Sequence, residues 1–235
     1  MHSEIKFTNV KRLRDSEMTA DKEMARFAAS TDPRFPHAVN ERLQAVAETA
    51  QANLDAINAR LAPRIPEFNR RVQAVLDSPK SKISKIHALW TLIDDVNSLN
   101  GGHVACRRGC NHCCHTEVLM SPEEAEAVGK RIGRMPRHPK LRSDRDQDFE
   151  CGYSNPCTFL KDGECSIYEN RPVACRAQYS LDVDALLCEV PDGEPARPVP
   201  YLNPMRFNMI LLHIVQPRTP ECMADIREYF PPRAR

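Results

Sequence analysis

Within ten residues, CRRGCNHCCH (Cys106 to His115) carries four cysteines and two histidines. A second block follows downstream in PCTFLKDGECSIYENRPVACR, with Cys157, Cys165 and Cys175. The spacings are Cys106-x3-Cys110-x2-Cys113-Cys114 and Cys157-x7-Cys165-x9-Cys175, so seven of the ten cysteines sit in two clusters. Thiolates two or three residues apart can grip one cation in a tight turn, and Gly109 supplies the backbone freedom such a turn needs. Arg107 and Arg108 would favour the thiolate form of their neighbours. Two distant blocks closing on a metal would also staple the chain between them.

Four thiolates suit tetrahedral zinc and equally a 4Fe–4S cluster. Seven exceed the needs of one zinc. Adjacent side chains diverge, so the Cys113–Cys114 doublet points to a polynuclear centre, two neighbouring sites, or one ligand beside a redox-active thiol. His103, His112 and His115 are candidate nitrogen ligands or supporting donors. Cys151 is a candidate auxiliary ligand, whereas Cys188 and Cys222 read as core residues. The triplet Cys106, Cys110, Cys113 also has the spacing used by radical S-adenosylmethionine enzymes. Those need a barrel of alternating strands and helices with the triplet near its start, and here about a hundred mostly helical residues precede it.

The elements that must position these sulfurs can be read from periodicity. Residues 1–36 form a polar arm. Over 37–100 a helical hairpin or bundle is expected. Apolar residues recur at Val39, Leu43, Val46, Ala47, Ala50, Leu54, Ile57 and Leu61, a helical stripe over Ala38 to Leu61. Pro63 and Pro66 should end it, with a shorter helix from about Glu67 to Leu76. A third helix should start near Ser81, carry Ile83, Ile86, Leu89, Leu92, Ile93, Val96 and Leu99, and stop at Asn100-Gly-Gly. Trp90 and His87 on it read as packing or surface residues.

The cysteine module is expected over 101–180. After the first block, Ser121 as N-cap, Pro122 and Glu124 make a capping-box signature for a helix to about Gly133. RMPRHPKLRSDRDQDFE reads as a solvated loop, basic first (Arg131, Arg134, Arg137, Lys140, Arg142, Arg145) and acidic at its end. It lacks the aromatic interleaving of a nucleic-acid surface. Asp162-Gly163 marks a β-hairpin with strands near Thr158–Leu160 and Glu164–Tyr168. From 181 to 235 a Pro-rich connector leads to a helix between Asn203-Pro204 and Pro217, and to a last short helix capped by Thr219. The fold expected is mainly α, with a small irregular α+β cysteine-rich metal-binding module.

Taken together, CRRGCNHCC, CTFL, GECSIY and RPVACR resemble the YkgJ-type cysteine-cluster family, named CxxCxxCC for its zinc- or iron-chelating domain. The first gap holds three residues here where the family's name implies two. The resemblance covers about 75 residues, Cys106 to Gln178. It implies metal chelation, with Cys106, Cys110, Cys113, Cys114, Cys157, Cys165 and Cys175 as ligands. Tyr168, Arg171 and Arg176 match its pattern as residues that brace the ligands or lock the hairpin, Arg176 being a candidate donor to sulfur. Relatives among flagellin lysine N-methylases carry a similar cluster.

The leading reading is therefore a metal-binding protein holding an iron–sulfur cluster or zinc for structure, storage or electron transfer. The alternatives are a redox or methyl-transfer enzyme and an interaction module in which zinc braces a surface for a protein or nucleic-acid partner. No Gly-rich nucleotide loop, serine elbow or HExxH helix is present, so catalysis is left open. With a net charge of +1, no overall field recruits nucleic acid or an anionic membrane. The most apolar run, Met209 to Val215, is too short to span a bilayer. The N-terminus lacks a signal-peptide pattern, which predicts a cytoplasmic chain. Ten cysteines in a reducing compartment favour metal over disulfides.

Overall fold

The computed structural model describes residues 26–142, 151–219 and 221–232. Most of the expected polar arm and the acidic end of the charged loop fall outside these residues. Seven helices are named here in chain order: α1 His37–Leu61, α2 Ile65–Asp77, α3 Lys82–Asn97, α4 Pro122–Ile132, α5 Val173–Ala177, α6 Met205–Val215 and α7 Ile226–Tyr229. Four two-residue strands, β1 Leu119–Met120, β2 Leu160–Lys161, β3 Glu164–Cys165 and β4 Ala224–Asp225, make two small antiparallel sheets. The molecule is mainly helical with a small β component, as the periodicity predicts.

Proline placement explains the first departure. Pro66 does not end α1 but sits in the first turn of α2, which begins two residues before the expected Glu67. A proline there forfeits no intrahelical hydrogen bond. A 3-10 turn over Ala62–Arg64 carries the chain between the two helices. Ser81 caps α3, accepting from the Ser84 amide. The helix stops at Asn97, before Leu99, and only Gly101 of the Asn-Gly-Gly stretch takes a left-handed conformation, with φ +57°.

One apolar core joins Phe68 and Val72 of α2 and Leu89, Leu92 and Ile93 of α3 to Ala125 and Val128 of α4. It continues through Phe159, Ile167 and Val173 of the cysteine module to Ile210 of α6 and Phe230. The buried stripe of α1 packs elsewhere: Val39, Leu43 and Val46 meet Leu187, and Ala50 and Ile57 meet Leu181. Arg42 of α1 adds ion pairs to Asp182 (2.8 Å) and Asp184 (2.9 Å). So α1 clasps the segment that follows the cysteines, while α2, α3, α4 and α6 build the floor beneath them.

The hairpin forms where expected, with Leu160 opposite Cys165 and Lys161 opposite Glu164. Asp162 (φ +49°) and Gly163 (φ +79°) both take the left-handed backbone that a two-residue hairpin turn requires. Its return strand ends at Cys165, short of Tyr168, because Tyr168–Asn170 coils into a 3-10 turn. The other sheet, β1 with β4, pairs residues more than a hundred apart and has no turn signature in the sequence.

The last helix is capped by Asp225 in a full capping box with Glu228, not by Thr219, whose hydroxyl donates to the Glu221 carbonyl. The charged loop is less solvated than expected. Arg134 lies over the rings of Phe159 and Phe230, and Arg142 pairs with Glu117 (3.3 Å) and Glu228 (2.7 Å). Among the described residues no helix is long and apolar enough to cross a membrane.

Candidate metal centre

The first cysteine block folds as a chain of tight turns. The Cys110 amide donates to the Arg107 carbonyl (3.1 Å) across Gly109, whose φ is +88°. The Cys114 amide donates to Asn111 (2.8 Å), and His112–His115 winds into a 3-10 turn. Asn111 Nδ2 reaches the Gly163 carbonyl of the hairpin turn (2.9 Å), and the Cys157 amide donates to the Cys114 carbonyl (2.7 Å). These two bonds lay the second block over the first.

The result is one cavity of about 20 Å³. Six of the seven expected ligands line it: Cys110, Cys113, Cys114, Cys157, Cys165 and Cys175. Val118, Phe159, Ile167, Pro172 and Ile226 complete largely apolar walls, and Tyr168 and Arg171 supply the polar part. Both members of the doublet reach the cavity, so the divergence expected of adjacent side chains is overcome by the 3-10 turn.

Cys106 stands outside this lining. Its sulfur accepts from the Ser180 amide at 3.3 Å. Cys188, expected in the core, is instead half-buried beside it, hydrogen-bonded with the Ser180 side chain. The three candidate histidines do not line the cavity. His103 Nδ1 lies 3.2 Å from Asn53 Oδ1. His115 Nδ1 lies 3.4 Å from the Gly152 carbonyl, and its ring meets Tyr153 edge-on. His112 has a buried Nδ1 without a partner. Cys151 does not line it either.

Six thiols around so small a space cannot all ionise without a cation. Cys114 hydrogen-bonds with both Cys113 and Cys165, which holds its own proton on and lowers theirs, Cys165 to about 6. Burial pushes Cys157 and Cys106 up to about 11 and holds Cys175 well above its ordinary value, where the charge of Cys113 adds to the effect. The cation that favours thiolate at Cys113, Cys165 and Cys175 is Arg171, not the exposed Arg107 or Arg108. Arg171 lies 3.7 Å over the Tyr168 ring and donates to the Tyr168 carbonyl, so its position is fixed. Arg108 stacks on the same tyrosine and pairs with Glu169 (3.3 Å).

Arg176, expected to donate to sulfur, turns the other way. It bonds Asp94 of α3 and the carbonyls of Arg171 and Glu169, and its guanidinium lies over Trp90. It anchors α5, and hence Cys175, to the helical floor.

Three braces escape the sequence reading. Asp225, fully buried, accepts from the Val118 amide (2.8 Å) and pairs with Arg227 (3.0 Å). Arg227 in turn donates to the carbonyls of Cys114 and Thr116 (3.2 Å each) and Asn155 (3.1 Å). Glu124 is the third: its amide reaches the Ser121 cap, but its carboxylate does not return to close the box. It accepts instead from the Val173 amide (2.7 Å) and the Trp90 indole (3.3 Å). A charged residue following a hydrophobic-patterned partner more than forty residues away leaves no local signal.

The donor set fits a thiophilic cation. The sulfurs are soft, their backbone is tied down from both sides, and the fixed guanidiniums of Arg171 and Arg227 offset only part of the charge that thiolates would bring. A cavity of about 20 Å³ accepts one water-sized body. Among the described residues no group of three or more His, Cys, Asp or Glu donors is already gathered closely enough to hold an ion.

Residues 105–190 match the model of a family described as "CxxCxxCC: Putative zinc- or iron-chelating domain". No curated protein and no solved structure matches the chain. The matched stretch takes in both cysteine blocks, from Cys106 to Cys175.

Proposed function

We propose that the chain binds zinc or iron between its two cysteine blocks, and that the centre staples the module to its helical floor or carries electrons. The observation that supports this reading best is the single cavity lined by six cysteines from three separate segments. Six sulfurs are more than the four that one tetrahedral ion takes, so a centre of more than one metal atom is the form proposed. Iron bound as an iron–sulfur cluster, or a pair of zinc ions sharing sulfurs, both satisfy that count.

What this chain's residues do follows from their chemistry. Buried thiols release their protons as the cation enters, so binding strengthens as pH rises. Arg171 offsets residual negative charge, and the apolar walls exclude water. A metal held by these cysteines would supply the strong multivalent cross-link that the two-residue strands lack.

Anaerobic purification followed by metal analysis and an absorption spectrum tests the proposal. Two or more metal atoms per chain are expected. A colourless protein with one zinc would sink the polynuclear form, and a protein that takes up neither metal would sink the reading altogether. Cys113→Ser and Cys114→Ser, made singly, should each lower the metal content. Full retention in both would remove the doublet from the site.

A further inference from the structure

Glu124 combines full burial with a carboxylate oxygen, Oε2, that has no hydrogen-bond partner. Such a group is costly to place, so what its other oxygen holds is informative. Oε1 accepts from the Val173 amide at 2.7 Å and from the Trp90 indole at 3.3 Å. Val173 is the first residue of α5, the five-residue helix that carries Cys175.

A helix this short does not hold itself. No side chain from its own N-cap bonds its first turn. Its other end is tied by Asn97 of α3, which donates to the Arg176 carbonyl at 2.8 Å. Arg176 then lies across Trp90 and bonds Asp94. Thus α3 grips the end of α5, and Glu124 of α4 grips its start, two residues before Cys175. The groups facing the carboxyl are Trp90 from α3, the Arg176 guanidinium from α5, and the buried Tyr229 hydroxyl from α7, which itself lacks a partner.

We propose that Glu124 is the positioning residue of Cys175, fixing the first amide of α5 so that this sulfur faces the thiol cavity. Its consequence for metal affinity rests on the proposed metal reading, but the placement of Cys175 does not. If Glu124 is replaced by an apolar residue, the Val173 amide is left buried and unpaired. The start of α5 then gains by moving toward water, and Cys175 moves with it.

The test uses the full reduced chain and an alkylating reagent, with each cysteine's modification rate read by mass spectrometry, followed by zinc titration. Glu124→Gln keeps an acceptor for both donors, so its Cys175 rate and zinc affinity should stay within about threefold of the parent. Glu124→Leu should raise the Cys175 rate by about tenfold or more, leave Cys157 and Cys165 near their parent rates, and weaken zinc by a similar factor. Should that variant fold poorly, Val173→Pro deletes the amide donor while keeping Glu124, at a first-turn position proline tolerates. It should show the same Cys175-selective rise. An equal rise at all six cavity cysteines, or no rise at Cys175 in either variant, would overturn the positioning role. A parent chain that binds neither zinc nor ferrous iron would defeat the metal reading alone, with the labelling pattern still deciding this one.

Discussion

The helical floor and the cysteine module are held together by different physics. In α2, α3 and α4 the stabilising groups are Phe68, Val72, Leu89, Leu92, Ile93 and Val128, all at or below 1% exposure. Their contribution is the removal of apolar area from water, which is additive over many residues and tolerant of small shifts. The module has strands of only two residues and a hairpin whose ladder is two pairs long. What fixes it is a small number of directional bonds: Cys157 to Cys114, Asn111 to Gly163, Arg227 to three carbonyls, Glu124 to Val173. Losing one such bond moves a sulfur, whereas losing one methyl group in the floor mainly loosens packing.

The largest test of that contrast pairs one substitution from each side. Phe68→Ala in the floor should cost about 3–5 kcal/mol of unfolding free energy through lost transfer energy and a cavity. Arg227→Ala should cost about the same, because the buried Asp225 is left without its partner. Equal costs should have unequal consequences for metal. Under conditions where both variants remain folded, Phe68→Ala should hold the parent's metal content, and Arg227→Ala should lose much of it, since the carbonyls flanking the doublet are released. Urea denaturation gives the first quantity and metal analysis the second. Parallel metal losses in both would mean that the two regions behave as one.

The same division decides what the sequence made legible. The longer helices declare themselves through local repetition and caps: the stripe from Val39 to Ile57 in α1, Ser81 before α3, Ser121 and Gly133 around α4. The hairpin is equally local, since Asp162-Gly163 needs nothing beyond its own backbone preference. The two cysteine blocks are visible as blocks, and their spacing brings six of seven sulfurs to one cavity. What the residue pattern alone does not carry is the partner to which each charged side chain turns. Arg171 rather than Arg107 faces the sulfurs, Arg176 faces Asp94, and Glu124 abandons its capping box for Val173. In each case the choice is made by burial in the folded state, which no local pattern encodes. The β1–β4 pairing fails for the same reason: two residues against two, with a separation that loop-closure entropy opposes until the core has formed.

A smaller effect should appear along the pH axis. Burial holds the Glu124 carboxyl up to about 7, against an ordinary value of 4.5. The folded state therefore keeps a proton that the unfolded chain has released between those two values. Stability should fall as pH rises from about 4.5 to about 7, by about 3 kcal/mol in all, and be flat on this account above that. Glu124→Gln cannot ionise, so it should remove this slope. Chemical denaturation of the metal-free chain at pH 5 and at pH 8 compares the two. A parent and a variant with the same difference between those pH values would show that the carboxyl is not held protonated. Glu124 stands on α4 and holds the first amide of α5, which makes its share of the pH slope a property of the joint between floor and module.

The smallest effect lies at the hairpin tip. Gly163 has φ +79°, and an added Cβ would meet nothing nearer than Asn111 Nδ2 at 3.8 Å. Space is therefore available, and the cost of Gly163→Ala is the left-handed backbone alone, about 1–2 kcal/mol. The turn carbonyl of Gly163 is also the acceptor for Asn111, so strain there is transmitted to the first cysteine block. Asn111→Ala removes that link without straining the turn, and should cost about 1 kcal/mol. If the bond is what registers hairpin against loop, the double variant should lose less than the sum of the two singles, because the second change acts on a contact already weakened. Strict additivity would place the hairpin tip among elements that merely cover the cavity, leaving Cys157 and Cys114 to align the blocks by their own hydrogen bond.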